Sequence, residues 1–525
     1  MEAPVHPTPA LTSSSNSESA WKPRLHSSTI RFGRHMSAAP SSPQEKRGIQ
    51  YWMERTVDEA RRVQSGFEAD PVHDLRVALR RCRSMAEGFR AIDPDPTWRR
   101  MRRAGKAVFS ALGELRDVQV LREWVERLGA ANDPARHRLS AHCAARERDL
   151  KAQASHTLAD FDAHTWLRWA RVLDTRERKL PAGSEVFQVI ALEKLEDVVR
   201  LHRTALRNRS KVALHALRIG IKRFRYVIEN FLPEQDRLWS KDLKQFQDVL
   251  GEAHDLDVLW ATALQIRAFS TREEREHWRS VMARERAQRV ALYKQKLVGR
   301  ESLLHAWRKG LLSGEGLRQA IEKKFETWAG FMDPDPAHAR RILERSLEIY
   351  DVLEASGIIR RTAHNLDPRE LLKIAAITHK VGRSGGKKKY HKRSARLVEK
   401  LDVPPGWTPE QLRIAGLVAR FHRGALPASQ PRFARLARSK RHIVALLAGI
   451  LRLAEVIDSG EAPAKVHLER QNGFLVLHTG APPASGRGPE RIAARRYLLE
   501  SACGMPILLR NGATLPPVLN PRHSH

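Results

Sequence analysis

The sequence predicts a mainly α-helical chain that closes with a small α/β piece, and three observations carry the prediction. From about residue 46 to 300, apolar residues recur at three- and four-residue spacing with almost no strand-like alternation. Within that span a segment repeats itself, which implies two related helical bundles. Near the C-terminus the period shortens to two on either side of an Asn-Gly pair, a strong hairpin signal.

Residues 1 to 45 are rich in Ser and Pro and lack a continuous apolar run. They read as a disordered arm and not as a secretory signal, with Met36 an alternative start. The helices of residues 46 to 300 break at "DPDP" (93 to 96), "ANDPA" (131 to 135), "LPAGS" (180 to 184) and "FLPEQD" (231 to 236). A second helical stretch runs from about 316 to 458, interrupted by "VGRSGGKKKYHKR" at 381 to 393. Its most apolar part, "IVALLAGILRLAEVI" from Ile443, contains Arg452 and Glu455, so it reads as a buried core helix. It falls short of the ~20 uncharged residues that a membrane span needs. The tail "KVHLERQNGFLVLHTG" reads as two strands turning at Gln471-Asn472-Gly473, "GPERIAARRYLLESACG" as a helix and "PILLR" as a last strand. The expected units are therefore an arm (1 to 45), a duplicated helical domain (46 to 300), a second helical domain (316 to 462) and a small α/β cap (463 to 511).

Composition narrows the function classes. Of 525 residues 42% are apolar, enough to bury several cores, while 93 Lys and Arg against 60 Asp and Glu leave a net charge of +33. Such a surplus points to a polyanionic partner. Three widely spaced cysteines (Cys82, Cys143, Cys503) make neither a disulfide framework nor a zinc signature, which fits a reducing, cytoplasmic setting.

The repeat is specific. "VHDLRVALRRCRSMAEGF" (72 to 89) aligns without gaps to "LHALRIGIKRFRYVIENF" (214 to 231). His73 thereby matches His215, Arg76 matches Arg218, Arg80 matches Lys222, Arg81 matches Arg223 and Arg83 matches Arg225. A second block, "LGELRDVQVL" (112 to 121), matches "LGEAHDLDVL" (250 to 259), with Lys106 and Lys244 six residues before each Leu-Gly. At about 100° per residue, His73, Arg76, Arg80 and Arg83 fall within an arc of roughly 80°, opposite Leu75, Leu79, Cys82, Ala86 and Phe89. His215, Arg218, Lys222 and Arg225 repeat the arrangement opposite Leu217, Ile221, Phe224, Ile228 and Phe231. Each helix is expected to pack by one face and present a cationic stripe on the other. Like charges at this spacing repel, and no Glu or Asp relieves them on either stripe. An anion with repeated charges would, because guanidinium forks bind phosphate oxygens in pairs and a histidine near its usual pKa of ~6.5 can gain charge on binding. A plain solvated face is the ordinary meaning of one Arg-rich helix, but its recurrence in both copies favours anion binding.

These two blocks resemble a CHAD domain, the conserved histidine α-helical domain, over about residues 46 to 300. The resemblance implies two pseudo-symmetric helical bundles with a basic groove between them that binds inorganic polyphosphate. It further implies that His73, Arg76, Arg80, Arg81, Arg83, Lys106, His215, Arg218, Lys222, Arg223, Arg225 and Lys244 line that groove. Arg81 and Arg223 lie off the main stripe on the wheel, and Asp117 and Asp255 fit a role in orienting arginines better than contact with the anion.

In the second half, "HARRILERSLEIYDVL", "LLKIAAITHKVGR", "YHKRSARLV", "LVARFHRG" and "ILRLAEVIDSG" resemble the HD-like helical domain of the exopolyphosphatase/guanosine pentaphosphate phosphohydrolase family. The tail resembles the α/β piece that follows it there. His338, His379, His391, His422 and Asp458 are candidates for chemistry, but a metal-dependent HD enzyme needs His-Asp where this chain has His379-Lys380. A protonated lysine cannot ligate a metal and repels it. The domain is therefore read as degenerate, with no catalytic residue, no metal and no cofactor. His379, Lys380, His391, His422 and Arg423 remain a candidate second anion site, with packed or hydrogen-bonded histidines as the plainer alternative. "GRSGGK" lacks the spacing of a phosphate-binding P-loop.

The expectation is a non-enzymatic, cytoplasmic polyphosphate-binding protein associated with polyphosphate granules, with no membrane partner and an undetermined oligomeric state. The rival readings are a phosphohydrolase acting on polyphosphate or guanosine polyphosphates, and a nucleic-acid binder. Aromatics make up only 6% of residues and do not interleave with the basic stripes, which counts against base stacking.

Overall fold

The computed structural model describes residues 48–67, 69–208, 210–299, 302–359, 367–458, 467–471, 473–479 and 488–511. The arm expected at residues 1 to 45 lies outside the described residues. Within them the protein is mainly α, and its first helices are α1 (Ile49–Gly66), α2 (Ala69–Phe89), α3 (Pro96–Leu128), α4 (Pro134–Ala159) and α5 (Ala163–Glu177). There follow α6 (Glu185–Asn208), α7 (Lys211–Phe231), α8 (Pro233–Gln265), α9 (Arg272–Leu297) and α10 (Leu303–Lys309).

The duplication extends well past the matching letters. α2 and α7 are both 21 residues long, α3 and α8 both 33, and α4 and α9 both 26. Local chemistry sets the boundaries. Asp95, Asp133, Asp335 and Asp367 each precede a proline and accept a backbone N–H of the helix they open. Such a cap is worth about 1 kcal/mol, and a proline at the first helical position has no N–H to lose there.

The predicted inner faces are the core. Leu75, Leu79, Cys82, Ala86 and Phe89 of α2 are buried, as are Leu217, Ile221, Phe224, Ile228 and Phe231 of α7. Phe89 meets Phe231 edge to face at 5.4 Å, and Phe187 of α6 stacks on Phe231 at 4.1 Å. Trp307 of α10 packs against Phe224 of α7 and Phe246 of α8.

The second half comprises α11 (Gly314–Met332), α12 (Pro336–Ala355), α13 (Pro368–Thr378), α14 (Tyr390–Val398), α15 (Pro409–Phe421), α16 (Pro431–Ala434) and α17 (Arg438–Ile457). The expected break at 381 to 393 is a 3-10 turn, Val381–Gly385, leading into α14. α17 is the predicted core helix, with Leu447, Ala448, Ile450 and Leu451 at zero exposure. The hairpin forms as read, with β1 (His467–Gln471) antiparallel to β2 (Phe474–Thr479), and β3 (Ile507–Asn511) adds parallel to β2 after α18 (Gly488–Cys503). Among the described residues, no helix is long and apolar enough to cross a membrane.

Candidate anion-binding site

The α2 and α7 stripes converge. The Arg80 guanidinium from α2 and the Lys222 ammonium from α7 each lie 5.8 Å from the centre of one ring, that of Tyr226. Arg76 and Arg83 lie over Phe109 of α3 at 5.9 and 4.5 Å. Among the described residues, none of Arg76, Arg80, Arg83, Arg218 and Lys222 makes an ion pair within 4.0 Å. Arg76 Nη1, Arg80 Nε, Arg83 Nη1, Arg218 Nε and His215 Nδ1 are buried without a hydrogen-bond partner, as is the Tyr226 hydroxyl.

Burial first, and mutual repulsion second, disfavour the charged forms of these cations. Burial, together with Arg218, Arg80 and Arg76, pulls the Lys222 ammonium down from 10.5 to about 8, with Asp117 opposing. Burial likewise lowers the Arg76 and Arg83 guanidinium pKa values. Burial raises Asp255 to about 6 against the pull of Arg218, and raises Asp117 against Arg76, Arg218 and Lys222. Neither aspartate hydrogen-bonds an arginine among the described residues, so their influence on the stripe is a field effect.

The second sequence block lies close to the stripe arginines. A Cβ at Gly113 would lie 3.5 Å from Arg76 Nη1, and one at Gly251 would lie 3.7 Å from Arg218 Nε. The repeated Leu-Gly therefore sets a side-chain-free patch beneath the same arginine in each half.

Other predicted residues sit differently. His73, Lys106, Arg223 and Lys244 are exposed. Arg81 and Arg223, off the stripe on the wheel, make reciprocal ion pairs between the two helices: Arg81 with Glu229 at 2.5 Å and Arg223 with Glu87 at 3.6 Å. Arg81 also donates to Asn230 Oδ1 at 2.9 Å, and Arg225 donates to Gln247 at 3.1 Å. These contacts tie α2 to α7 and α7 to α8. Tyr226, Phe109, Gly113 and Gly251 were not singled out from the sequence. The glycines carried a signal in the duplicated Leu-Gly, whereas Tyr226 aligns with Ser84 and carried none.

The second candidate cluster is largely closed. His379 and His422 have no exposed surface and Lys380 retains 8%. The reason is local: His379 and His422 end the apolar helices α13 and α15, and each ring bonds back through Nδ1 to the carbonyl three residues earlier, Ala376 and Ala419. Tyr390 and His422 Nε2 are 3.1 Å apart. His338 Nδ1 lies 2.8 Å from Asp458, which Arg341 also holds. Lys380 Nζ contacts His338 Nε2 and lies 3.4 Å from Glu455. Burial would raise the Glu455 carboxyl, but His422, His379 and Lys380 outweigh it and hold it at about 2. Toward solvent, Arg423 stands over Tyr390 at 5.8 Å, and His391, half-buried, lies 6.4 Å from His422.

Comparison with known proteins places these two regions. Residues 49–265 match the CHAD domain, and residues 326–472 match the Ppx/GppA phosphatase, domain III. The crystal structure of the CHAD domain from the plant Ricinus communis is similar at 23% identity, covering 51% of this chain and 90% of that chain, with a TM-score of 0.35. The chain thus joins a CHAD domain at residues 49–265 to a Ppx/GppA-type domain III at residues 326–472.

Proposed function

We propose that the cationic edges of α2 and α7 form a groove that holds inorganic polyphosphate, and that the protein is a non-catalytic scaffold associated with polyphosphate granules. The two domain types together point to polyphosphate-related function. The observation that carries the binding reading is the set of buried, unpartnered donors on Arg76, Arg80, Arg83, Arg218 and Tyr226. Leaving a buried donor unmet costs about 1–3 kcal/mol, and more where it is charged. Anionic oxygens offered at several points would satisfy these donors together, and guanidinium forks suit them.

Two rivals remain. For nucleic acid, the aromatic rings beside the stripe, Phe109 and Tyr226, are already covered by Arg76, Arg83, Arg80 and Lys222. A base would have to displace these cations to stack on the faces they cover. For a metal-dependent phosphohydrolase, the residue after His379 is a lysine whose ammonium faces His338 and Glu455.

Competition separates these classes. Labelled polyphosphate bound to the full chain should be displaced by unlabelled polyphosphate at far lower phosphate concentration than by RNA. Equal displacement by RNA would favour nucleic acid, and phosphate release with Mg²⁺ or Mn²⁺ that is lost on His379→Ala would favour the enzyme.

A further inference from the structure

Two histidines and a glutamate in the second half are arranged like ligands. One donor atom from each of His338, His379 and Glu455 lies within 4.8 Å of the others. The rings are also oriented for ligation. His379 Nδ1 must carry its proton, because its partner at 2.6 Å is the Ala376 carbonyl, which only accepts. Its Nε2 lone pair therefore points inward, and that atom is buried with no partner. His338 Nδ1 bonds the Asp458 carboxylate at 2.8 Å, so its Nε2 also faces inward. A carboxylate or backbone carbonyl behind each imidazole is the outer support that metal-binding histidines have.

Two imidazoles and a carboxylate make a donor set that suits zinc and similar borderline ions. Here, however, the space holds the Lys380 side chain, whose Nζ touches His338 Nε2 and lies 3.4 Å from Glu455. The ammonium meets His338 and Glu455, while His379 Nε2 stays without a partner.

We propose that Lys380 is a built-in substitute for a divalent cation, and that His338, His379 and Glu455 form a transition-metal site which its ammonium keeps closed. The lysine supplies the positive charge that the buried Glu455 carboxylate requires. It does so from the chain itself, so this half of the protein holds its core together without metal. Without Lys380, Glu455 faces the imidazoles of His338, His379 and His422 and a space that an ion can enter.

The test uses the full-length protein and Zn²⁺ or Co²⁺ alone. Calorimetric titration of Lys380→Ala should show one Zn²⁺ bound about 100-fold or more tighter than any site in the native chain. Co²⁺ should develop the visible absorption of a four-coordinate site. Both signals should vanish in Lys380→Ala/His379→Ala, which separates this cluster from surface histidines. Should Lys380→Ala fail to fold, Lys380→Met fills the space with an apolar chain of similar length and must leave the native chain's weak metal response unchanged. Metal binding by Lys380→Ala no tighter than by the native protein, tight binding that survives loss of His379, or tight binding by the native chain or Lys380→Met would each overturn the proposal.

Discussion

Arg80 of α2 and Lys222 of α7, from opposite halves of the duplicated domain, lie over one aromatic ring, each 5.8 Å from the centre of Tyr226. Two like charges from different helices are thus brought together by the packing of their apolar faces. Both lack an ion-pair partner within 4.0 Å among the described residues. Folding has drawn together charges that favour separation, and a polyanion would relieve the strain.

Lys222 should make polyphosphate binding sensitive to pH. Lys222 has its pKa lowered from 10.5 to about 8, chiefly by burial, so between those values the unfolded chain binds more protons than the folded one. Stability from this group is therefore lower below pH 8 and rises as pH climbs from about 8 to 10.5. A bound anion favours the ammonium, so binding takes up a proton and weakens as pH rises through about 8. Asp255, raised to about 6, adds proton uptake near that pH. Calorimetry in buffers of different ionisation enthalpy should record proton uptake on polyphosphate binding near pH 8.

The reciprocal ion pairs should differ in worth. Arg81 and Glu229 side chains are 21% and 12% exposed, whereas Arg223 and Glu87 are 58% and 42% exposed. Arg81→Ala removes the nearer of the two arginines that face Glu229, leaving Arg225 at 3.9 Å, and should cost about 1–3 kcal/mol of stability. Arg223→Ala should cost about 0–1 kcal/mol. Chemical denaturation of the two variants checks this ordering, which the sequence alignment alone would make equal.

Glycine substitutions should split by what a new methyl meets. A Cβ at Gly88 would fall 2.3 Å from Phe231 Cε2, so Gly88→Ala should destabilise by about 1–3 kcal/mol or more. At Gly113 the nearest atom is Arg76 Nη1 at 3.5 Å, an ordinary contact. Gly113→Ala should therefore stabilise α3 by up to about 1 kcal/mol. Thermal melts of both variants decide it.

Acid should loosen the second half in a defined window. Glu455 is held at about 2 against a usual 4.5, and burial together with His422 lowers His391 to about 4 from 6.5. In both cases the unfolded chain binds more protons over the interval. Stability from His391 is lost as pH falls from 6.5 toward 4, and that from Glu455 as it falls from 4.5 toward 2. Hydrogen exchange of α13, α15 and α17 against pH should follow these two steps, with the lower one moving upward in Lys380→Ala.

Much of this was legible in the sequence because it depends on period and repetition. The wheel positions of Arg76, Arg80, Arg218 and Lys222 follow from 3.6-residue periodicity once Leu75 and Leu217 are known to face inward. The pairing of Gln471 with Phe474 is the register that a two-residue hairpin connection demands. What escaped depends on contacts across long separations that no local pattern encodes. Lys380 meets His338 from 42 residues away, and Arg81 meets Glu229 from the other repeat. The burial of His379 and His422, read from the sequence as the plainer alternative to an anion site, is possible because their polar Nδ1 atoms are satisfied by helix-end carbonyls. Tyr226 escaped because only one copy of the repeat carries it.

The most direct measurement is retention of Arg80→Glu/Lys222→Glu on immobilised polyphosphate across a salt gradient. If α2 and α7 hold polyphosphate, the native chain should be retained with a steep logarithmic salt dependence, and the double variant, still folded by circular dichroism, should elute at about 0.15 M salt or below, the physiological range. Elution of the folded double variant at the native salt concentration would contradict it.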